Sequence, residues 1–153
     1  MKFSLSHLSL KGRALRLLSG REHSRHELER RLAEFEEAPG ELAKILDDLE
    51  AKGFISEQRV VESVVNRRSA KLGAARIKQE LQNKGVGREV VLDAVAALQS
   101  TELERARALW QKKFGELATD ASARGRQMRF LATRGFGGDV IRKVMQGQPQ
   151  DAD

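Results

Sequence analysis

Residues 76–91 read RIKQELQNKGVGREVV, and residues 126–141 read RQMRFLATRGFGGDVI. At a shift of 50 residues the two stretches share an arginine, a leucine, two glycines and an apolar pair. The matched pairs are Arg76 with Arg126, Leu81 with Leu131, Lys84 with Arg134, Gly85 with Gly135, Gly87 with Gly137, Glu89 with Asp139, Val90 with Val140, and Val91 with Ile141. Each stretch is one copy of the same unit. The unit consists of a helical apolar run, a glycine suited to a left-handed turn and a second apolar run.

The N-terminal third is a further copy, because a shift of 49 places Leu28 and Leu32 on Ile77 and Leu81. The sequence therefore predicts an all-α protein of three tandem three-helix repeats, stacked as a short solenoid with a concave docking face. We place the repeats at residues 10–54, 56–99 and 101–146, and expect residues 147–153 to be a disordered tail. Nine helices are expected, near residues 10–19, 24–36, 41–52, 57–71, 74–84, 88–99, 102–114, 122–134 and 138–146.

Hydroxyl side chains mark the predicted starts of several helices. Ser24 with Glu27 and Thr101 with Glu104 have capping-box spacing, in which the hydroxyl accepts from a backbone N–H and the carboxylate reaches back to the cap residue. Ser56 is a third candidate N-cap.

The composition excludes several classes of protein. The chain has 153 residues and no cysteine, so a disulfide scaffold, a cysteine-ligated metal centre and a thiol nucleophile are excluded. No run of 18 apolar residues is present that could span a membrane, and Met1–Lys11 has no signal-peptide pattern. We expect a cytoplasmic protein.

Basic side chains are unevenly distributed along the chain. The net charge is +6, and the excess lies after residue 56. Two runs carry it, residues 67–88 and 124–143, each with a single acidic residue. Such runs indicate either solvated helix faces or a surface for nucleic acid or an acidic protein.

No catalytic constellation is recognisable. His23 and His26 are three residues apart, but Ser24 is the better helix cap, so the two imidazoles need not share a face and a metal site is not expected. Phosphate-loop, nucleophile-elbow and zinc-protease motifs are missing from the sequence. Trp110 is a candidate for stacking on a base, although a core position fits its apolar neighbours better. We expect a binding protein without cofactor, not an enzyme.

Four blocks of sequence carry a resemblance to a known family. They are Leu17-Leu18-Ser19-Gly20-Arg21-Glu22-His23-Ser24 with Glu27-Leu28 and Arg31-Leu32; Gly53-Phe54-Ile55 with Arg59; Gly73–Leu81 with Lys84-Gly85-Val86; and Arg129-Phe130-Leu131 with Arg134-Gly135-Phe136. In their order and spacing they resemble the RecX regulators of the RecA recombinase, over residues 10–146. The chain departs from the family pattern at Leu72-Gly73-Ala74, where an aromatic-Gly-Pro is usual, and at Val60, where an aromatic is usual.

The resemblance implies an elongated, curved array of three three-helix repeats that inserts into the groove of the RecA filament on single-stranded DNA. It also implies a role in DNA repair and the SOS response, through inhibition of the RecA ATPase, coprotease and strand-exchange activities. The expected partners are RecA, its filament and DNA itself, with no membrane, and the protein is expected to be a monomer. The candidate contact residues are Arg67, Arg68, Lys71, Arg76 and Lys78 in the second repeat and Arg124, Arg126, Arg129 and Arg134 in the third.

Two other functions are compatible with the sequence. One is a stand-alone nucleic-acid-binding protein, in which the three-helix units act like helix-turn-helix modules. The other is an adaptor without a nucleic-acid partner.

Overall fold

The structure, a computed structural model, describes residues 8–147, and every regular element in that range is a helix. The elements are α1 (Leu10–Gly20), α2 (Arg25–Leu32) with a short 3₁₀ helix (Ala33–Phe35), α3 (Glu41–Ala51), α4 (Glu57–Arg68), α5 (Ala74–Asn83), α6 (Arg88–Lys113), α7 (Ala121–Thr133) and α8 (Gly138–Met145). The all-α prediction is confirmed. None of these helices is long and apolar enough to cross a membrane. The predicted tail lies outside the described residues except for Gly147.

The chain forms two compact units. Unit 1 comprises the residues up to Ser63 together with Asn83–Val86, and unit 2 comprises Val64–Gln82 together with the residues from Gly87 onward. The core of unit 1 is built from the apolar stripes of α1, α2 and α3, with Leu28, Leu46 and Leu49 fully buried. The core of unit 2 lies between α6, α7 and α8, around Ala106 and Leu131. The helical spacing of these residues therefore does bury one face of each helix.

Ser24 begins α2 as the sequence predicts. Its Oγ accepts from the Glu27 N–H at 3.1 Å, and a Glu27 carboxylate oxygen accepts from the Ser24 N–H at 3.1 Å, which confirms the capping box. The same hydroxyl donates to the Lys84 carbonyl at 2.6 Å. Ser56 is confirmed as the cap of α4, because its Oγ accepts from the Arg59 N–H at 3.2 Å.

The predicted capping box at Thr101 and Glu104 is wrong. A single helix, α6, runs through Thr101 from Arg88 to Lys113, so two predicted helices are one. The hydroxyls of Ser100 and Thr101 donate back to the Ala97 and Leu98 carbonyls, at 2.6 and 3.3 Å. No glycine or proline interrupts this stretch, and hydroxyl side chains are tolerated inside a helix when they bond to the preceding turn. One long helix thus supplies the third helix of the second repeat and the first helix of the third.

The repeated Lys/Arg-Gly pair makes a similar joint in each unit. Gly85 and Gly135 have φ of +75° and +90°, the left-handed conformation that favours glycine. In unit 1 the Lys84 carbonyl accepts from Ser24, and Gly85 lies against His26. In unit 2 the Arg134 carbonyl accepts from the Gly73 N–H at 2.8 Å, and Gly135 lies against Arg76. The internal repeat is therefore a repeat of tertiary contacts as well as of sequence.

Trp110 packs against the core of unit 2. Its indole N–H donates to Gln127 Oε1 at 2.9 Å, and Gln127 Nε2 donates to the Glu116 carbonyl at 3.0 Å. The core interpretation of Trp110 is confirmed.

Candidate functional site

Two side chains one turn apart on α6 fix the segment between α4 and α5. The Arg105 guanidinium donates to the carbonyls of Ser69 and Leu72, both at 2.7 Å, and to the Leu98 carbonyl at 2.9 Å. The carboxylate of Glu102, only 7% exposed, accepts from the Ala74 N–H at 2.9 Å, at the start of α5. Burial lowers the pKa of the Arg105 guanidinium, and Glu102 partly offsets that effect, so Arg105 keeps its charge. The two side chains hold residues 69–74 against α6.

A cationic cleft of about 510 Å³ lies beside this segment, within unit 2. Its lining is Ala70 and Lys71 from the α4–α5 connection, Ala108, Leu109, Lys112 and Lys113 from α6, Phe130 from α7, and Arg134 from the end of α7. Phe130 forms the aromatic wall: its ring lies 5.4 Å from that of Phe114, edge to face. We call this feature the Phe130 cleft.

The charge of the Phe130 cleft has one sign. Among the residues that the structure describes, four cationic side chains and no carboxylate line it. Lys113 Nζ and Arg134 Cζ lie 5.7 and 5.0 Å from the centre of the Phe130 ring, within the range of a cation–π contact. Between residues 8 and 147, Lys71, Lys112, Lys113 and Arg134 form no ion pair. Cations around an aromatic ring suit a strand of nucleic acid, because they neutralise phosphates while a base stacks.

The nine predicted contact residues all belong to unit 2, but they do not form one cluster. Lys71 and Arg134 meet at the Phe130 cleft. Arg67 and Arg68 are exposed in the last turn of α4, and Arg68 pairs with Glu80 at 3.4 Å. Lys78 is half-buried on α5.

Arg76 has a structural contact. Its Nη1 donates to the Thr133 carbonyl at 2.6 Å, at the C-terminal end of α7, and the first carbons of its side chain lie against Gly135. Arg76 therefore links α5 to the end of α7, and its Nη1 donor is used in that contact.

The three exposed arginines of α7 do not share one side of the helix. At 100° per residue, Arg126 and Arg129 lie about 60° apart, whereas Arg124 is about 160° from Arg126. Arg126 and Arg129 can contact one partner surface together, and Arg124 extends in another direction. These residues remain predicted contacts.

Sequence reasoning missed Lys112, Lys113 and Phe130. The two lysines lie outside the basic runs on which the prediction rested, and only their position in the last turn of a helix distinguished them. Phe130 belongs to the fourth block of the family resemblance, but nothing in the sequence indicates that cations surround it.

The chain matches three family models in order. The model described as the first three-helix domain of RecX matches residues 11–49, that of the second residues 56–95, and that of the third residues 100–145.

Curated relatives and solved structures agree with these matches. The chain is 54% identical to the regulatory protein RecX of Leptothrix cholodnii, over 91% of this chain and 88% of the relative. It is 45% identical to the regulatory protein RecX of Herminiimonas arsenicoxydans, over 95% of this chain and 97% of the relative. The crystal structure of RecX from Lactobacillus salivarius has the same fold, with a TM-score of 0.74 at 22% identity, over 90% of this chain and 92% of that one.

Proposed function

The chain belongs to the RecX family of regulatory proteins, and from that premise we propose that it binds the RecA filament on single-stranded DNA and inhibits it. The activities lowered are the RecA ATPase, its coprotease function and strand exchange, in DNA repair and the SOS response. The protein acts in the cytoplasm by binding and not by catalysis. Family membership over nearly the whole chain is the observation that carries this proposal.

The Phe130 cleft supports a contact with filament DNA. Four cations beside a half-buried aromatic ring favour phosphates and bases over an apolar partner. Arg126 and Arg129 offer a second cationic surface on α7, suited to phosphate or to acidic side chains, because guanidinium groups pair bidentately with both.

An ATPase titration tests the proposal. Sub-stoichiometric protein, added to its cognate RecA with single-stranded DNA, is expected to lower ATP hydrolysis. Addition before filament assembly and addition to a preformed filament separate blocked growth from disassembly. Unchanged hydrolysis at equimolar protein in both orders of addition would contradict the proposal.

Replacement of Arg124, Arg126 and Arg129 together by alanine tests the α7 surface. All three side chains are exposed, so helicity should be retained while affinity for the filament falls. Circular dichroism checks the fold, and filament co-sedimentation measures the affinity. Unchanged affinity would remove these arginines from the interface.

The Phe130 cleft also favours a second candidate function, direct binding of nucleic acid without RecA. In that case affinity for naked single-stranded DNA equals affinity for the filament, and ATPase inhibition disappears when excess RecA-free DNA is added. A preference for the filament over naked DNA separates the RecA regulator from the stand-alone DNA-binding protein.

A further inference from the structure

Unit 1 contains a second cationic cleft, of about 760 Å³, between α1, α2 and the 3₁₀ helix. Five arginines and a histidine share its lining: Arg13, Arg16, Arg21, Arg30, Arg31 and His23. We call it the His23 cleft. It uses none of the nine residues predicted from the sequence, because the first third of the chain has no net charge.

The charge in the His23 cleft is poorly balanced. Within residues 8–147, one carboxylate, that of Glu34, lines it beside the five guanidinium groups. Arg21 is within 3.4 Å of Glu27, whereas Arg16, Arg30 and Arg31 are exposed and form no ion pair in the described part of the chain. The acidic residues that balance the charge of this third include three on α3, where they pair with other cations, namely Arg25, Lys11 and Lys52. The local excess of positive charge therefore stays in the cleft.

His23 lines the cleft and carries an unsatisfied polar atom. The residue is 2% exposed, and its Nδ1 lies 3.0 Å from the Arg21 carbonyl. A carbonyl only accepts, so Nδ1 carries the proton, and in the neutral ring Nε2 is an acceptor. This buried Nε2 has no hydrogen-bond partner among residues 8–147. A buried polar atom without a partner is costly, and a ligand that donates to it removes the cost.

An aromatic ring completes the cleft. The Arg13 guanidinium lies over the Phe35 ring, 3.8 Å from its centre, and Phe35 is 38% exposed. A guanidinium held in this way presents a planar surface on which a base can stack.

We propose that the His23 cleft binds a nucleotide, with its phosphate groups on the exposed arginines and a ligand hydroxyl or singly protonated phosphate donating to His23 Nε2. The volume of the cleft is within the range of small-ligand sites, about 300–1,000 Å³. Several unpaired cations match the multiple charges of a polyphosphate better than the single charge of a carboxylate side chain. A carboxylate side chain also has no proton to donate to His23 Nε2 and no ring to stack on the Arg13 guanidinium.

The inference goes beyond RecA regulation, and its test needs no RecA. ATP, inorganic tripolyphosphate and a short thymidine oligonucleotide of about 12 residues are titrated separately into the full-length protein. Calorimetry gives the affinities, and the ¹⁵N resonances of the His23 ring report on Nε2. ATP should bind saturably, shift the Nε2 resonance and bind more tightly than tripolyphosphate, because only ATP has a base to stack.

Matched charge variants locate the site. Arg16→Gln with Arg31→Gln should weaken ATP binding by about tenfold or more, while Lys11→Gln with Lys52→Gln, in the same third of the chain but outside the cleft, should weaken it less than about threefold. Both double variants should have the same circular dichroism spectrum as the unmodified protein, since all four side chains are exposed.

Competition identifies the source of the phosphate. An oligonucleotide that displaces ATP assigns the cleft to a nucleotide within a strand, whereas failure to displace assigns it to a free nucleotide; both support the proposal. The proposal is overturned if ATP does not saturate, if the Nε2 resonance does not move, if both double variants lose affinity equally, or if polyglutamate displaces ATP as well as tripolyphosphate does.

Discussion

Gly135 occupies a position where no other residue fits without strain. Its φ is +90°, and a Cβ there would collide with the backbone and first side-chain carbons of Arg76. The backbone of Gly73 also lies against the Gly135 carbonyl. The glycine thus allows α5 and the end of α7 to approach closely, and Gly85 allows the corresponding close contact with His26.

Gly135→Ala should destabilise the protein by about 2 kcal/mol or more, because left-handed backbone and a steric clash act together. Urea unfolding followed by circular dichroism measures the change. Gly138→Ala is the control: it lies in α8 with free space around it, so it should be neutral or stabilising by up to about 1 kcal/mol. Equal effects of the two substitutions would contradict the proposed role of Gly135.

His23 should make the stability of the protein depend on pH near neutrality. Burial, more than any other effect, lowers the pKa of the His23 imidazole below 6.5, although the bond to Arg21 opposes it. Between the folded and unfolded pKa values the unfolded chain binds more protons, so the free energy of unfolding falls as the pH drops through 6.5. The folded protein, with its buried neutral imidazole, is therefore more stable above pH 6.5 than below it.

Denaturant unfolding at about pH 7.5 and about pH 5.5 measures this effect above the range in which carboxylates titrate. The pKa of Glu27 is also lowered, since the Ser24 N–H and Lys84 together outweigh its burial, but its contribution is lost only at more acidic pH. His23→Gln should reduce the loss of stability between the two pH values. An unchanged loss in the variant would assign the effect to other groups.

Residue-level expectations succeeded where a local rule decides the structure and failed where a distant contact does. The caps of Ser24 and Ser56 and the left-handed backbone of Gly85 and Gly135 are set within their own segments, so these roles could be predicted. The distant contacts of the same residues, such as that of Gly135 with Arg76, could not be predicted. Thr101 has the same local pattern as Ser24, but its surroundings continue the helix. Arg76 looked like a surface cation, and its bond to the Thr133 carbonyl, 57 residues away in the sequence, left no local signal.

At the scale of the elements, α6 is the helix that organises unit 2. Its 26 residues carry the clamp of Glu102 and Arg105, core residues such as Ala106, and the lysines of the Phe130 cleft. A break at Thr101, as the capping pattern predicts, would separate the clamp and the cleft lysines from the first half of α6, which carries the buried residues Val91 and Leu98. The continuous helix fixes the position of that half relative to the clamp, and Arg105 donates back to the Leu98 carbonyl.

Glu102→Ala should therefore destabilise unit 2 by about 2 kcal/mol, because the Ala74 N–H at the start of α5 loses its charged acceptor in a buried place. Thermal unfolding by calorimetry measures the loss. Glu104→Ala, two residues along the same helix and exposed, is the matched control and should change stability by less than about 0.5 kcal/mol. A similar effect of both would show that Glu102 acts through helix propensity or net charge alone.

Helix periodicity was sufficient to predict most elements of this fold. The apolar spacing of α2, α3 and α8 placed each helix within a few residues of its position. Periodicity could not show that α6 is one continuous helix where two helices were predicted. Whether such a stretch forms one helix or two depends on how it packs against the neighbouring helices.

For the molecule as a whole, charge counting located the cationic clefts only in part. The basic runs led to Lys71 and Arg134, which do line the Phe130 cleft. The count for the first third came to zero, yet five arginines of that third gather in the His23 cleft. Net charge is a sum along the chain, whereas a cleft is lined by side chains from one side of several helices. The fold alone determines which carboxylates lie away from the cleft and do not neutralise its cations.

The salt dependence of binding tests whether the Phe130 cleft contacts DNA. If Lys112 and Lys113 each neutralise a phosphate of a single strand, Lys112→Gln with Lys113→Gln should weaken binding to single-stranded DNA. It should also reduce the slope of log affinity against log salt by about 1.4, or about 0.7 for each contact. Fluorescence anisotropy over a series of salt concentrations measures both. Lys11→Gln with Lys52→Gln removes equal charge outside the cleft and should leave the slope unchanged. A weaker affinity for the filament with an unchanged slope would instead place RecA, and not DNA, at the Phe130 cleft, because contacts between protein groups release no condensed counterions from the strand.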